Sequence, residues 1–179
     1  MSAGGQPQLD TDFMRRQLAE IYDLYRSALL NKLYYADALN TWSRADTTLD
    51  CAIFIGTSSS IGSYAIWKNG VGQYAWAVLS GAAAICGILK QTLQISKRVQ
   101  RYSNLHSGHS GVYFDLHQVV SKIRTAHAVS PDLLDRYNQA FARYNDLSVE
   151  DDPKISQKRR ARCESEVLRQ IPNEALWTF

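Results

Sequence analysis

The sequence predicts an all-α membrane protein: an antiparallel two-helix transmembrane hairpin with long cytoplasmic helices. Three features predict it. Two consecutive stretches, 51–67 and 71–89, contain no Asp, Glu, Lys or Arg. Between them lies Asn69-Gly70, a tight-turn pair in which both residues tolerate positive φ. On either side, apolar residues recur every three or four positions, the period of a helix with one buried face.

The two uncharged stretches are 17 and 19 residues long. A helix rising about 1.5 Å per residue needs roughly 20 apolar residues, with a range of about 17–25, to cross the hydrocarbon core. A turn as short as 68–70 makes the two helices antiparallel. The mean hydropathy of the chain is slightly negative, but nearly all its charge lies before Asp50 or after Leu89. A buried hairpin inside a soluble bundle is the competing reading, yet such core helices usually keep a polar face, and here none exists over two segments.

The spans are rich in small residues rather than leucine. Small residues let helix backbones approach in lipid, where packing rather than the hydrophobic effect drives association. Gly56, Ser60 and Gly62 on the first span, and Gly81 and Gly87 on the second, are the candidate helix-packing and oligomer positions. Span hydroxyls can bond back to carbonyls of the preceding turn. Tyr64, Trp67, Tyr74 and Trp76 cluster around the turn, where amphipathic rings would anchor it at the lipid–water interface. At the other end Asp50 and Lys90 fall at one depth and are a candidate ion pair. Lys32 and Arg44 precede the first span, and Lys90, Lys97, Arg98 and Arg101 follow the second, whereas the turn has only Lys68. Excess Lys/Arg stays inside, so both termini are expected in the cytoplasm.

The flanks read as helices. Met1–Asp12, with Gly4, Gly5 and Pro7, is expected to be a flexible lead over 1–10 and lacks the pattern of a signal peptide. A helix should start near Asp10–Asp12, with the stripe Leu18, Ile21, Tyr22, Tyr25, Leu29, Leu33, Ala36. After Leu89 the second span should continue as a helix through Leu93, Ile95, Val99 and Tyr102. Ser107–Gly111 (SGHSG) is a candidate kink or end. A stripe resumes at Tyr113, Leu116, Val119, Val120 and Ile123. Ser130-Pro131 starts another helix, with Leu134, Tyr137, Phe141 and Tyr144 on its inner face. A third start, Asp152-Pro153, opens a charged C-terminal helix ending near Gln170, expected to be solvated. Residues 148–179 form this charged helix and tail.

No catalytic pattern is present: no P-loop, GxSxG, HExxH or dinucleotide-binding glycine motif. The chain is therefore expected not to be an enzyme and to need no cofactor. His106 and His109 are three apart but lack a cysteine or carboxylate at ligand spacing, so they read as exposed helix histidines rather than metal ligands. His117 and His127 are isolated. Cys51, Cys86 and Cys163 read as free thiols in a reducing compartment. A charge balance of only +3, without basic runs interleaved with aromatics, gives no reason to expect nucleic-acid binding.

The layout resembles a known family. A long amphipathic helix bearing Tyr25 and Tyr34-Tyr35 leads to Trp42 and Arg44. A short hairpin follows, then the basic exit SKRVQRYSNLH and a helix with Tyr113, Leu116 and Ile123. Over 11–147 this is similar to the SLATT domain, a two-transmembrane effector of bacterial conflict systems associated with SMODS nucleotide synthases and SLOG-type sensors. His106 and Tyr113 match recurrent positions after the second span; the SGHSG stretch departs from the pattern. The resemblance implies an antiviral effector of the bacterial inner membrane that oligomerises and perforates or depolarises it when a nucleotide signal or partner acts. It implies the bilayer, further copies of the chain, and a nucleotide second-messenger synthase or sensor as partners. The residues themselves leave two alternatives: a membrane scaffold that forms no pore, and a soluble helical adaptor.

Overall fold

A computed structural model describes residues 6–66, 71–152 and 155–172, with side-chain detail outside 6–13, 58–66, 71–73 and 75. The fold is all-α. Among the described residues there are five helices and no strand: α1 Gln6–Ile66, α2 Val71–Thr92, α3 Ile95–Ala126, α4 Pro131–Val149 and α5 Gln157–Gln170.

α1 is a single helix of 61 residues. It begins at Gln6, before the expected start at Asp10–Asp12, so residues 6–10 are helical rather than a flexible lead. Pro7 suits a first turn, where its fixed φ is already helical and its missing N–H is not needed. From Gln8 to Ile55 the sequence has neither Gly nor Pro, so nothing stops the helix between the amphipathic lead and the first uncharged stretch. The flanking helix and the first arm of the hairpin are one element.

α2 does not continue into α3. It ends at Thr92, and the chain bends by 46° before α3. Gln94 takes φ 48°, the left-handed conformation that closes many helix C-termini. The ladder breaks there: Leu93 N–H still reaches the Leu89 carbonyl at 2.9 Å, but Gln94 N–H turns to Gln91 at 3.1 Å. Conversely, Ser107–Gly111, the expected weak point, lies inside an unbroken α3.

The chain divides into two compact units, 1–37 with 104–179, and 38–103. The first is a helical assembly with one apolar core. Ile21, Tyr22, Tyr25, Ala28 and Leu29 of α1 meet Val112, Leu116, Val119 and Ile123 of α3, closed over by Leu133 and Ala140 of α4 and Val167 of α5. The expected stripes of α1 and α3 are therefore the core faces. That of α4 is rotated: Leu133 and Ala140 are buried, while Phe141 is exposed. The inner face runs Leu133, Tyr137, Ala140, Tyr144, Leu147, still at helical spacing.

α5 is docked rather than merely solvated. Cys163 and Val167, four apart, are buried. Arg159 Nε and Arg162 donate to the Asp37 carboxylate of α1 at 2.7 and 3.1 Å. Its cap is Ser156, later than the expected start at Asp152-Pro153; Pro153 itself lies outside the described residues. Burial, and then the Asp37 charge, raise the Cys163 thiol above its ordinary pKa.

Candidate functional site

The second unit is built on the end of α1, α2 and the first turns of α3. Two contacts fix the direction and register of the hairpin. Lys90 Nζ of α2 meets Asp50 of α1 at 2.5 Å. Farther along α1, Gly56 packs on Ala83, nearer the start of α2. As the α1 number rises the α2 number falls, so the helices are antiparallel.

Gly56 is required at this crossing. A Cβ there would run into the Ala83 methyl group and stand 3.2 Å from the Leu79 carbonyl oxygen. Only hydrogen lets the two backbones approach this closely. Gly81 and Gly87 are different: a Cβ at either meets nothing within 4 Å, so neither makes a tight contact among the described residues. Ser60, Gly62 and Tyr64 lie on α1 where side chains are outside the described residues, and Trp67 lies outside them altogether. Of the other two aromatic residues expected near the turn, Tyr74 is exposed and Trp76 half-buried. Thr57 donates back to the Ile53 carbonyl at 2.8 Å, which satisfies its hydroxyl without an external partner.

The expected Asp50–Lys90 pair is part of a larger cluster. Asp46, one turn earlier on α1, also reaches Lys90, at 3.0 Å. Ser96 donates to Asp46 at 3.2 Å. The two carboxylates, Asp50 first, raise the Lys90 ammonium above its ordinary pKa. Arg98 lies over the Trp42 ring at 4.9 Å. Asp46 and Ser96 were missed in the sequence; the i, i+4 spacing of Asp46 and Asp50 was the signal for the first.

The outer surface of the hairpin is apolar. Phe54 is 70 % exposed and Val78 71 %, and Ile55, Leu79, Ile85, Ile88 and Leu89 are exposed as well. Monomeric soluble proteins rarely leave large apolar patches uncovered. By hydropathy, no single helix among the described residues is long and apolar enough to cross a membrane, although α2 and α3 reach the threshold together as a bent pair.

The first unit contains a polar cluster that the sequence reading misplaced. His109 is not an exposed helix histidine: it is fully buried. Its ring lies flat on Tyr35 and edge-on to Tyr144. Nε2 is 3.2 Å from Asp151 Oδ1. A carboxylate only accepts, so Nε2 carries a proton and donates it to Asp151; Nδ1 has no partner among the described residues. Tyr35 donates to the same Asp151 oxygen at 2.7 Å and accepts from the Asp152 amide at 3.3 Å. Tyr34 accepts from the Ser156 amide at 3.1 Å. The adjacent tyrosines thus tie the α4–α5 connection to α1. Burial, and then the Asp151 bond, raise the Tyr35 pKa far above that of a free phenol. A cleft of about 220 Å³ opens here, walled by Asn31, Tyr34, Tyr144, Asp151 and Arg160.

His106 is half-buried, with Nδ1 3.2 Å from the Lys32 carbonyl oxygen. Tyr113 stacks on Tyr25 with centroids 5.2 Å apart. Tyr25 Oη lies 2.8 Å from His117 Nδ1, so His117 is not isolated. No group of three or more His, Cys, Asp or Glu among the described residues is arranged to hold a metal.

Comparison with protein-family profiles, with curated proteins and with solved structures finds no match to this chain.

Proposed function

We propose that the hairpin of α1 and α2 is a membrane-inserting element and that the chain is a non-enzymatic membrane effector. Copies assemble in the bacterial inner membrane, with both termini cytoplasmic, and perforate or depolarise it when a signal reaches the helical unit. The observation that carries this reading is the set of large apolar side chains exposed on both arms of the hairpin, Phe54 and Ile55 on α1 and Val78, Ile85 and Ile88 on α2. Water penalises such a surface by about 25 cal/mol per Å², whereas lipid tails accept it at no cost. The similarity to the SLATT layout supports the effector role and the class of trigger, a nucleotide synthase or sensor. One hairpin cannot enclose a channel, so a pore requires several copies.

The test has two parts. Membranes from cells expressing the chain are washed with alkaline carbonate and then extracted with detergent; the chain should leave only with detergent. Purified chain is then reconstituted in dye-loaded vesicles. Release of dye supports the effector. Stable insertion without leakage under any co-expressed trigger assigns a scaffold instead, and recovery without detergent assigns a soluble adaptor.

A further inference from the structure

The α2–α3 bend creates a groove in the second unit. Its volume is about 580 Å³, and its lining is part apolar and part polar. One wall is Ile53 of α1 and Gly87 of α2, both from the uncharged stretches, and Gly87 leaves that wall open because it has no side chain to fill it. The rest of the lining is Gln91, Gln94, Ser96 and Lys97, together with the paired Asp50 and Lys90. Lys90 is already committed to Asp46 and Asp50. Lys97 is exposed and has no acidic partner among the described residues. Between Ala38 and Ser103, outside the 67–70 turn, the chain carries Arg44, Lys90, Lys97, Arg98 and Arg101 against only Asp46 and Asp50. After internal pairing this end of the hairpin keeps an excess of positive charge.

We infer that this groove seats one anionic phospholipid, its acyl chain along Ile53 and Gly87 and its phosphate at the Lys97 rim with the Gln91 and Gln94 amides as donors. The inference rests on the membrane reading above. An apolar slot that opens at a cationic rim matches an amphiphile whose charge lies at one end. Basic residues flanking a membrane segment attract anionic headgroups, and the loss of one weakens that attraction about fivefold. Lys97 here gains the added geometry of the groove, so its reversal should cost more.

The test uses full-length chain in neutral detergent micelles, titrated with dioctanoyl phosphatidylglycerol, dioctanoyl phosphatidylcholine and glycerol phosphate, with binding read by thermophoresis. The parent should prefer phosphatidylglycerol at least tenfold over phosphatidylcholine and ignore glycerol phosphate. Lys97→Glu should abolish the preference, Lys97→Arg should keep it, and Gly87→Phe, which fills the slot, should weaken both lipids. Lys158→Glu, an equal charge change at an exposed position of α5, should alter nothing. Equal affinity for the two lipids, or equal loss with Lys158→Glu, overturns the inference while carbonate-resistant insertion leaves the hairpin reading intact. Release by carbonate overturns both. If Gly87→Phe spares lipid binding but abolishes the oligomers that chemical cross-linking of membranes traps in the parent, the groove holds a second copy of the chain, and the lipid assignment is wrong.

Discussion

The imidazole of His109 lies parallel to the phenol ring of Tyr35, with centroids 5.3 Å apart and planes 6° apart. This stack joins α3 to α1, and the shared Asp151 oxygen joins both to the α4–α5 connection. His109→Ala would empty a fully buried site and leave Asp151 short of a donor. It should destabilise the first unit by about 2–4 kcal/mol. Asp151→Asn keeps the shape and one acceptor and should cost about 1 kcal/mol. Denaturant melts followed by near-ultraviolet circular dichroism check both; equal costs would show that packing alone matters at this site.

Gly108 and Gly111 give opposite expectations from similar sequence. A Cβ at Gly108 would lie 2.5 Å from a Leu147 methyl, whereas one at Gly111 meets nothing within 4 Å. Both lie inside α3, where Ala is favoured over Gly by about 1 kcal/mol. Gly111→Ala should therefore stabilise by about that amount. Gly108→Ala should gain nothing or lose, because Leu147 must move. Paired melting curves decide it; a gain at both positions would mean that Leu147 yields freely.

Alkaline pH should unfold the first unit through its tyrosines. Burial, then the bond to Tyr113, raises Tyr25; burial, then Asp151, raises both Tyr35 and Tyr144. A raised folded-state pKa means that the fold favours the neutral phenol. The corresponding stability is complete below the ordinary phenol value of 10.0 and is lost as pH rises beyond it. Melting temperature should fall above about pH 10, less steeply in Tyr25→Phe. A parent curve flat to about pH 12 would refute this.

At the base of the hairpin, Lys90 serves two carboxylates and each carboxylate serves it. Lys90→Ala strands Asp46 and Asp50 one turn apart, where like charges repel. Asp50→Asn leaves the Asp46 contact in place. Lys90→Ala should therefore loosen the hairpin more than Asp50→Asn, read as the rate of disulfide cross-linking between cysteines placed on α1 and α2. The reverse order would mean that Asp46 contributes nothing.

At the crossing, Gly56→Leu forces α1 and α2 apart and should cost about 1–3 kcal/mol, the usual penalty for overpacking. Ile85→Leu, on the exposed face, keeps volume and polarity and should be neutral. Thermal stability in detergent separates them, and equal behaviour would show that the helices part without loss.

Local signals in the sequence reach as far as local causes do. The α1 stripe and the uncharged stretches follow from spacing, and the Asp50–Lys90 register follows from an antiparallel turn. The burial of His109 was not legible. Its immediate neighbours, Gly108 and Ser110, look like a loop, and only Tyr35, Tyr144 and Asp151 from other elements enclose the ring and give its Nε2 a partner. The docking of α5 depends on Asp37, 122 positions before Arg159. A run of cations reads as solvent-facing until its distant acid is known. The turn of the α4 face by one position came from its partners, because Leu133 and Leu134 are equally apolar and the core selects between them.

The bend after α2 rests on one dihedral angle. Gln94 holds φ 48° without being glycine, a conformation that costs an ordinary residue about 1–2 kcal/mol. The uninterrupted helix suggested by the apolar spacing of Leu89, Leu93 and Val99 is therefore a near competitor, separated from the observed path by a single backbone rotation. A β-branched residue at position 94 would tilt that balance toward the straight form, and glycine would tilt it toward the bent one.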